Sequence, residues 1–338
     1  MDVKDRKILE ILSDNAKIPI GKLSKQVGLS REVTSYRIKR LKRHGILQRI
    51  IAKIDMTRFY QNAYSIFIRF AKLDGKFLKE AISFFAKNPY VMWVGALGGE
   101  YDISASLLTR NPNDLKVFLQ QIEQQFGQNK KYDLFLFERE FKNTVRNIFS
   151  HQKQQLCEGL ITELAPQKLI ALDAIDKTIL YALSKNAEIS MARLASLVGL
   201  SEEAIRLRIR NLEKNKIICG YRGLIDLHQL GLEIYYALMR FENLTPEQEK
   251  KLETYVQLNP HYLYCAKIVG EYNLQATLWA STPQQFQSVL YDIRNTFSDM
   301  LSSFRTQLVF SEHQHTYLPP AAVLDDIDIN KVNALLSF

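Results

Sequence analysis

A chain of 338 residues, 46% hydrophobic and 24% charged, has the make-up of a globular protein of at least two domains. Its net charge of +9 admits an anionic partner, while no apolar run approaches the roughly 18 residues of a membrane span and Met1–Arg6 lacks a signal-peptide core. The cysteines, Cys157, Cys219 and Cys265, are scattered, which argues against a disulfide framework or a paired-cysteine metal site and suits a cytoplasmic location.

Residues 2–14 predict a helix. Ile8, Leu9, Ile11 and Leu12 share one face, and Asp2 and Asp5 stand near its positive end. Pro19 opens a second helix carrying Leu23 and Val27, and Gly28 ends it. Ser30 is a good N-cap for a third helix, Arg31 to about His44. After Gly45, residues 46–54 have strand composition and are expected to form a wing. The set reads as a winged helix-turn-helix over 1–57. On the third helix Val33, Thr34, Ile38 and Leu41 form the expected buried stripe, and residues 30–44 hold six basic residues against one acid. Such a helix suits a DNA major groove. Ser30, Arg31, Ser35, Tyr36, Lys39 and Arg43 are the candidate base-side or groove contacts. Arg40 and Lys42 are expected on phosphates, with Arg49 and Lys53 on the wing.

From Tyr64 the periodicity changes. Strand Tyr64–Phe70, helix Phe77–Ala86, strands Val91–Leu97 and Tyr101–Leu107, helix Pro112–Phe126 and strand Tyr132–Phe137 follow in turn. The β-α-β-β-α-β order, placed at 62–141, is ferredoxin-like. A linker, 142–172, contains Lys142, Arg146, Lys153, a glutamine-rich patch at 152–155 and Pro166.

The chain then says the same thing again, 171 residues on. Asp5 answers Asp176, Gly28-Leu29-Ser30 answers Gly199-Leu200-Ser201, and Gly99-Glu100-Tyr101 answers Gly270-Glu271-Tyr272. A second winged helix-turn-helix is expected at 173–228 and a second β-α-β-β-α-β domain at 232–316. The fold class is thus α+β by tandem duplication, an internal pseudo-dimer able to assemble further. The copies differ where DNA would approach. Residues 201–215 hold four basic residues against three acids, leaving Arg206, Arg210 and Lys214 as weaker DNA contacts. Arg37 and Arg208 border the buried stripes, and an ion pair with Asp5 and Asp176 suits them better than a base contact. In the tail, 317–338, Leu324–Asp328 echoes Leu172–Asp176, as if the chain ended in the first helix of a third copy, here expected to dock as a capping helix.

A helix-turn-helix followed by this domain, with Gly-Glu-Tyr-Asp in its central hairpin, resembles the Lrp/AsnC (feast/famine) family of transcriptional regulators over about 2–141 and 173–312. Asp5-Arg6-Lys7-Ile8-Leu9, Leu23–Ser30 and Arg37–Leu41 carry the likeness, as do Ile217–Arg222, Asp226 and Leu230-Gly231. The resemblance implies a sequence-specific regulator of double-stranded DNA with a small effector such as an amino acid, and no catalytic residues, metal or cofactor. It points to Gly99, Glu100, Tyr101 and Asp102, and to Gly270, Glu271, Tyr272 and Asn273, as the effector site. A hairpin built around the tyrosine alone is the plainer reading of these turns. Two alternatives stay open. Sirohaem decarboxylases share the fold, but their hairpin shows His-x-Tyr-Asn, and Gly99 and Gly270 stand in place of the histidine. An architectural DNA-coating protein would bind any duplex. His313 and His315 share a strand face, with no third metal ligand evident.

Overall fold

The computed structural model describes residues 1–60, 62–149 and 172–336. The glutamine-rich patch, Cys157 and Pro166 of the linker lie outside them. Helix α1 (Val3–Asp14) starts at a capping box in which Asp2 and Asp5 each accept the other's backbone N–H, and it buries Ile8, Leu9 and Leu12. Helix α2 (Ile20–Val27) ends at Gly28, whose φ of 67° is left-handed. Helix α3 (Arg31–Arg43) is capped by Ser30, whose Oγ accepts the Val33 N–H at 3.2 Å. Val33 departs from the expected buried stripe: it is 42% exposed, while Thr34 and Leu41 are buried.

Strand β1 (Leu47–Ile54) follows, then β2 (Asn62–Phe70), α4 (Gly75–Lys87), β3 (Val91–Gly98), β4 (Ile103–Thr109), α5 (Pro112–Phe126) and β5 (Lys130–Asn143). The second copy supplies α6 (Ala174–Lys185), α7 (Met191–Val198), α8 (Glu202–Lys214), β6 (Ile218–Ile225), β7 (Glu233–Phe241), α9 (Pro246–Leu258), β8 (Tyr262–Val269), β9 (Leu274–Ala280), α10 (Pro283–Thr296) and β10 (Leu301–His315). Every one of these begins 171 residues after its counterpart.

Each copy contributes a four-stranded sheet, and the two close into one eight-stranded barrel in the order β10-β3-β4-β2-β5-β8-β9-β7. Closure depends on two long strands. β5 pairs with its own β2 as far as Leu136, then continues along β8 from Leu136 to Asn143. β10 does the same, pairing with β7 and then with β3 from Leu308 to His315. The expected domain limit at 141 is therefore overrun. One face of each sheet packs on its own helices, through Phe85, Phe118 and Ile122 in the first copy and Leu252, Val256 and Ile293 in the second. The other faces fill the barrel with Phe67, Tyr101, Phe135, Tyr236, Tyr272 and Val309.

The helix-turn-helix units are also paired. β1 and β6 form a two-stranded antiparallel ribbon with each other. Around it each bond has its counterpart: Ala16 N to Tyr221 O (2.9 Å) and Ala187 N to Ile50 O (2.7 Å), Asp55 N to Ile217 O and Asp226 N to Ile46 O (both 2.9 Å). The tail runs back across the first copy, where the Tyr60 hydroxyl donates to Pro319 O (3.0 Å) and Arg110 pairs with Asp325 (2.6 Å). It ends in α11 (Ile329–Leu336), which packs on α6 and α7 through buried Val332. The Tyr181 hydroxyl donates to Asn333 Oδ1 (3.2 Å), and Lys331 Nζ to Leu197 O (3.3 Å). The tail docks as a cap on the second unit.

Candidate functional site

The face of α3 is sorted by its own ion pairs. Arg37 Nη1 contacts Asp2 (2.6 Å) and buried Asp5 (2.9 Å), and Arg40 contacts the other Asp5 oxygen (2.6 Å). Arg40 is thus committed to α1, although it was expected on phosphate. Lys42 is paired with Glu188 of the other copy. Arg31, Tyr36, Lys39 and Arg43 remain exposed, and among the described residues Arg31, Lys39 and Arg43 enter no ion pair. Ser35 is half-buried, and Ser30 is the helix cap. On α8, Arg208 repeats the internal pairing with Asp173 (2.7 Å) and Asp176 (2.8 Å). Arg206 is held by Glu202 (2.7 Å), while Arg210 and Lys214 are exposed. Two basic faces exist, and the first is the more open to phosphate.

The expected wing strand is present as β1, but it pairs with its counterpart in the other copy. β1 pairs along its length with β6, and its basic side chains Arg49 and Lys53 are half-buried. Arg49 Nη2 donates to His315 O (3.0 Å), and burial lowers the Lys53 ammonium, with Arg222 nearby. Neither Arg49 nor Lys53 lies on a projecting hairpin.

The two Gly-Glu-Tyr turns converge on Arg305. Its guanidinium lies 2.9 Å from Glu100 and 3.8 Å from Glu271. Gly99 has φ 141°, and a Cβ there would stand 2.3 Å from Gln307 Oε1. Tyr101 and Tyr272 are buried inside the barrel, and the Tyr101 hydroxyl donates to Asp133. Asp102 Oδ2 accepts the Phe70 N–H (2.7 Å). Asn273 Oδ1 accepts the Phe241 N–H (2.9 Å), and its Nδ2 donates to Phe241 O (2.7 Å). The acids and the asparagine expected to meet an effector are engaged with the protein's own groups. The asparagine can fill the aspartate's place because the job there is to bond strand backbone.

The open space lies elsewhere, between the β1–β6 ribbon and the barrel mouth. It is a cavity of about 740 Å³, walled on the ribbon side by Arg49 and Arg222 and on the barrel side by Trp93, Tyr236, His315 and Tyr317. Arg222 is 6% exposed, and its Nη1 donates to Tyr317 Oη (2.9 Å) and Asn143 Oδ1 (3.2 Å). The Nε atoms of Arg49 and Arg222 and the Nε2 of His315 are buried with no hydrogen-bond partner. Leaving such an atom unmade costs about 1–3 kcal/mol. Burial, with Arg222 and Arg49 alongside, pulls the His315 imidazole down to about 3, so it is neutral at pH 7. Carboxylate oxygens are the acceptors that suit two guanidinium edges. The Trp93 indole N–H donates to Glu312 (2.7 Å) at the same wall. His313 bonds Ser311 (2.7 Å) and is not drawn into a metal site, and among the described residues no group of three His, Cys, Asp or Glu is placed to hold a metal. The sequence offered one hint of this cavity, the paired histidines on one strand face. Arg222 entered only as the last residue of Ile217–Arg222, the stretch that carries the family likeness.

Among the described residues no helix is long and apolar enough to cross a membrane. Residues 1–48 match a winged helix-turn-helix DNA-binding model, and residues 172–213 match an AsnC-type helix-turn-helix domain. The chain is 31% identical to the HTH-type transcriptional regulator FL11 of Pyrococcus furiosus over 122 residues, 36% of this chain and 80% of that protein. It is 30% identical to the HTH-type transcriptional regulator LrpA of Pyrococcus abyssi over 123 residues, 35% of this chain and 83% of that protein. Its fold is shared along its whole length by the siroheme decarboxylase NirDL, crystallised with an iron-uroporphyrin III analogue. The likeness covers 99% of this chain and 100% of that one, with 15% identity and a TM-score of 0.61.

Proposed function

The chain belongs to the Lrp/AsnC family of DNA-binding transcriptional regulators, and from that premise we propose a sequence-specific regulator whose operator is read mainly by α3. The observation that carries this is the exposed, unpaired set Arg31, Lys39 and Arg43, with Tyr36 beside it. Its counterparts on α8 are Glu202, Arg210, Lys214 and Leu207, a less basic set. The operator is correspondingly lopsided.

The effector occupies the cavity under the ribbon, not the Gly-Glu-Tyr turns. Two arginine Nε–H groups without a partner there suit a carboxylate, and a volume of about 740 Å³ falls within the roughly 300–1,000 Å³ of small-molecule pockets. A ligand there touches both the ribbon that joins the two helix-turn-helix units and the barrel, so its binding energy acts on their relative placement. Selection of duplexes from a random pool, with and without each of the twenty amino acids, tests both parts. A preferred duplex bound about 10³-fold above random sequence is expected, shifted by at least one amino acid. Equal affinity for all duplexes would instead make the protein an architectural coat.

One observation favours a second reading, a sirohaem decarboxylase-like enzyme: the whole-chain likeness to that fold, with a cavity bearing two arginines and a neutral histidine. The glycines at 99 and 270 speak against it. Titration with iron-uroporphyrin III decides. Tight binding with a shifted absorption band would favour the enzyme, and no spectral change the regulator.

A further inference from the structure

We infer that the interface between the two halves is keyed, so that each half accepts the other and rejects a second copy of itself. The inference is independent of what the cavity binds. The backbone does not supply the key. The bonds from Ala16 and Ala187, and from Asp55 and Asp226, are the same bond made twice, and two like halves could make them equally well. Discrimination lies in side chains whose counterparts differ.

The first key is electrostatic. Two equivalent crossings join the helix-turn-helix units, one between positions 42 and 188, the other between 17 and 213. At the first, the Lys42 ammonium bonds the Glu188 carboxylate. At the second, Lys17 lies 3.7 Å from the ring centre of Tyr221, whose hydroxyl donates to Glu213 (2.6 Å), and the Glu213 charge acts on Lys17. Both members of the pair are reversed between copies. Lys17 corresponds to Glu188, and Lys42 to Glu213. Pairing unlike halves gives lysine against glutamate twice. Two first halves would set lysine against lysine twice, and two second halves glutamate against glutamate twice. Exposed charge pairs are individually weak, so this key biases the choice without settling it.

The second key is in the barrel seams. Where β10 crosses onto β3, the Phe310 ring covers Gly98, and a Cβ at Gly98 would stand 2.4 Å from Phe310 Cζ. The counterpart of Gly98 is Val269, so two second halves would drive each Phe310 into a valine. Where β5 crosses onto β8, the position of Phe310 is taken by Arg139, which reaches Glu249 (3.1 Å) and Glu253 (3.2 Å) on α9. On α4 those acids are replaced by Leu78 and Ile82, so two first halves would leave each Arg139 against apolar side chains. One like pairing forces the exposed Phe310 ring off its seat and the other loses its ion pairs. This is selection against a wrong partner as well as for the right one.

Exchange of halves between chains tests it. The double variant K42E/E213K makes both crossings repulsive within a chain and attractive between like halves of two chains. K42E/E188K changes as many charges and likewise makes both like pairings attractive, but it keeps opposite charges at both crossings within a chain, so it isolates the loss of the unlike pairing. V269G added to K42E/E213K opens the seat for Phe310 between two second halves. Full-length proteins with two tags of different mass are mixed at low salt and weighed by native mass spectrometry. The wild type and K42E/E188K are expected to stay free of mixed two-chain species joined by exchanged halves. K42E/E213K should raise that species about tenfold over K42E/E188K, with a further rise on adding V269G and a fall at high salt. Equal two-chain fractions in all the variants, or a rise in K42E/E188K matching that in K42E/E213K, would overturn the inference.

Discussion

Removing Lys39 and Arg43 together is the sharpest test of which half reads DNA. Both side chains are exposed and neither enters an ion pair, so their replacement removes cation without unpicking the fold. Each phosphate contact contributes about 0.9 to the slope of log affinity against log salt. With Arg40 and Lys42 held by ion pairs, Lys39 and Arg43 are, among the described residues, the free cations left in the second half of α3 to neutralise phosphate at the groove edge. Losing both lowers the slope by about 1.8. Between about 50 and 200 mM salt, a fourfold rise, wild-type affinity then falls about 12-fold further than that of K39A/R43A. Fluorescence anisotropy on the selected duplex at four salt concentrations measures this directly. The second half supplies the control. Arg210 and Lys214 are the counterparts, and R210A/K214A should lower the slope by less than about 0.9. If R210A/K214A flattened the salt dependence and K39A/R43A left it unchanged, the assignment of the reader to the first half would be refuted.

Asp5→Ala leaves Arg37 and Arg40 without their buried partner and should cost about 3–5 kcal/mol in urea denaturation. Asp176→Ala loses only Arg208, with Asn211 standing where Arg40 would be, and should cost about 1.5–3 kcal/mol. Gly98→Ala pushes the exposed Phe310 ring off its seat and should destabilise by about 1 kcal/mol at most, relieved by Phe310→Ala in the double variant. The His315 imidazole is held at about 3, far below its ordinary value near 6.5. Between those values the unfolded chain takes up the proton more readily than the folded one, so stability falls as pH drops through that window. Thermal melts of His315→Gln from pH 7 to 4 should show a shallower decline than wild type; parallel curves would remove His315 as the source.

Helices and caps were legible because their causes are local. Asp2 and Ser30 are followed within three residues by the N–H groups they bond, and Gly28 stands at the turn it permits. The internal ion pair of Arg37 was legible too, since comparing the copies separated shared scaffold from divergent surface. The crossings were not. Glu138, Arg139, Glu140 and Phe141 lie beyond the expected strand end at Phe137 and Lys142 in the expected linker, because what pairs with them lies about 120 residues away on β8 and α9. Lys142 is fully buried with its Nζ on the carbonyls of Val256, Gln257 and Asn259, and no local pattern announces that. The partner of the wing strand was hidden for the same reason. Residues 46–54 have strand composition, but the partner that β1 finds is β6 of the other copy. The cavity follows from both, since it exists only once ribbon and barrel are closed over one another.

The two long strands carry a consequence for the history of such a chain. A chain holding one copy would have to lay its long strand on a second, identical subunit. Here β5 rests on β8 and β10 on β3, and the residues at each seam have parted company: Arg139 against Phe310, Gly98 against Val269. A chain cut back to either half would bare the edges of its sheet and find in its own duplicate a poor cover for them. The fusion has become a ratchet. Each substitution that fits one seam to its unlike neighbour makes the return to a simple homodimer harder, and frees the two DNA-binding faces to go on diverging.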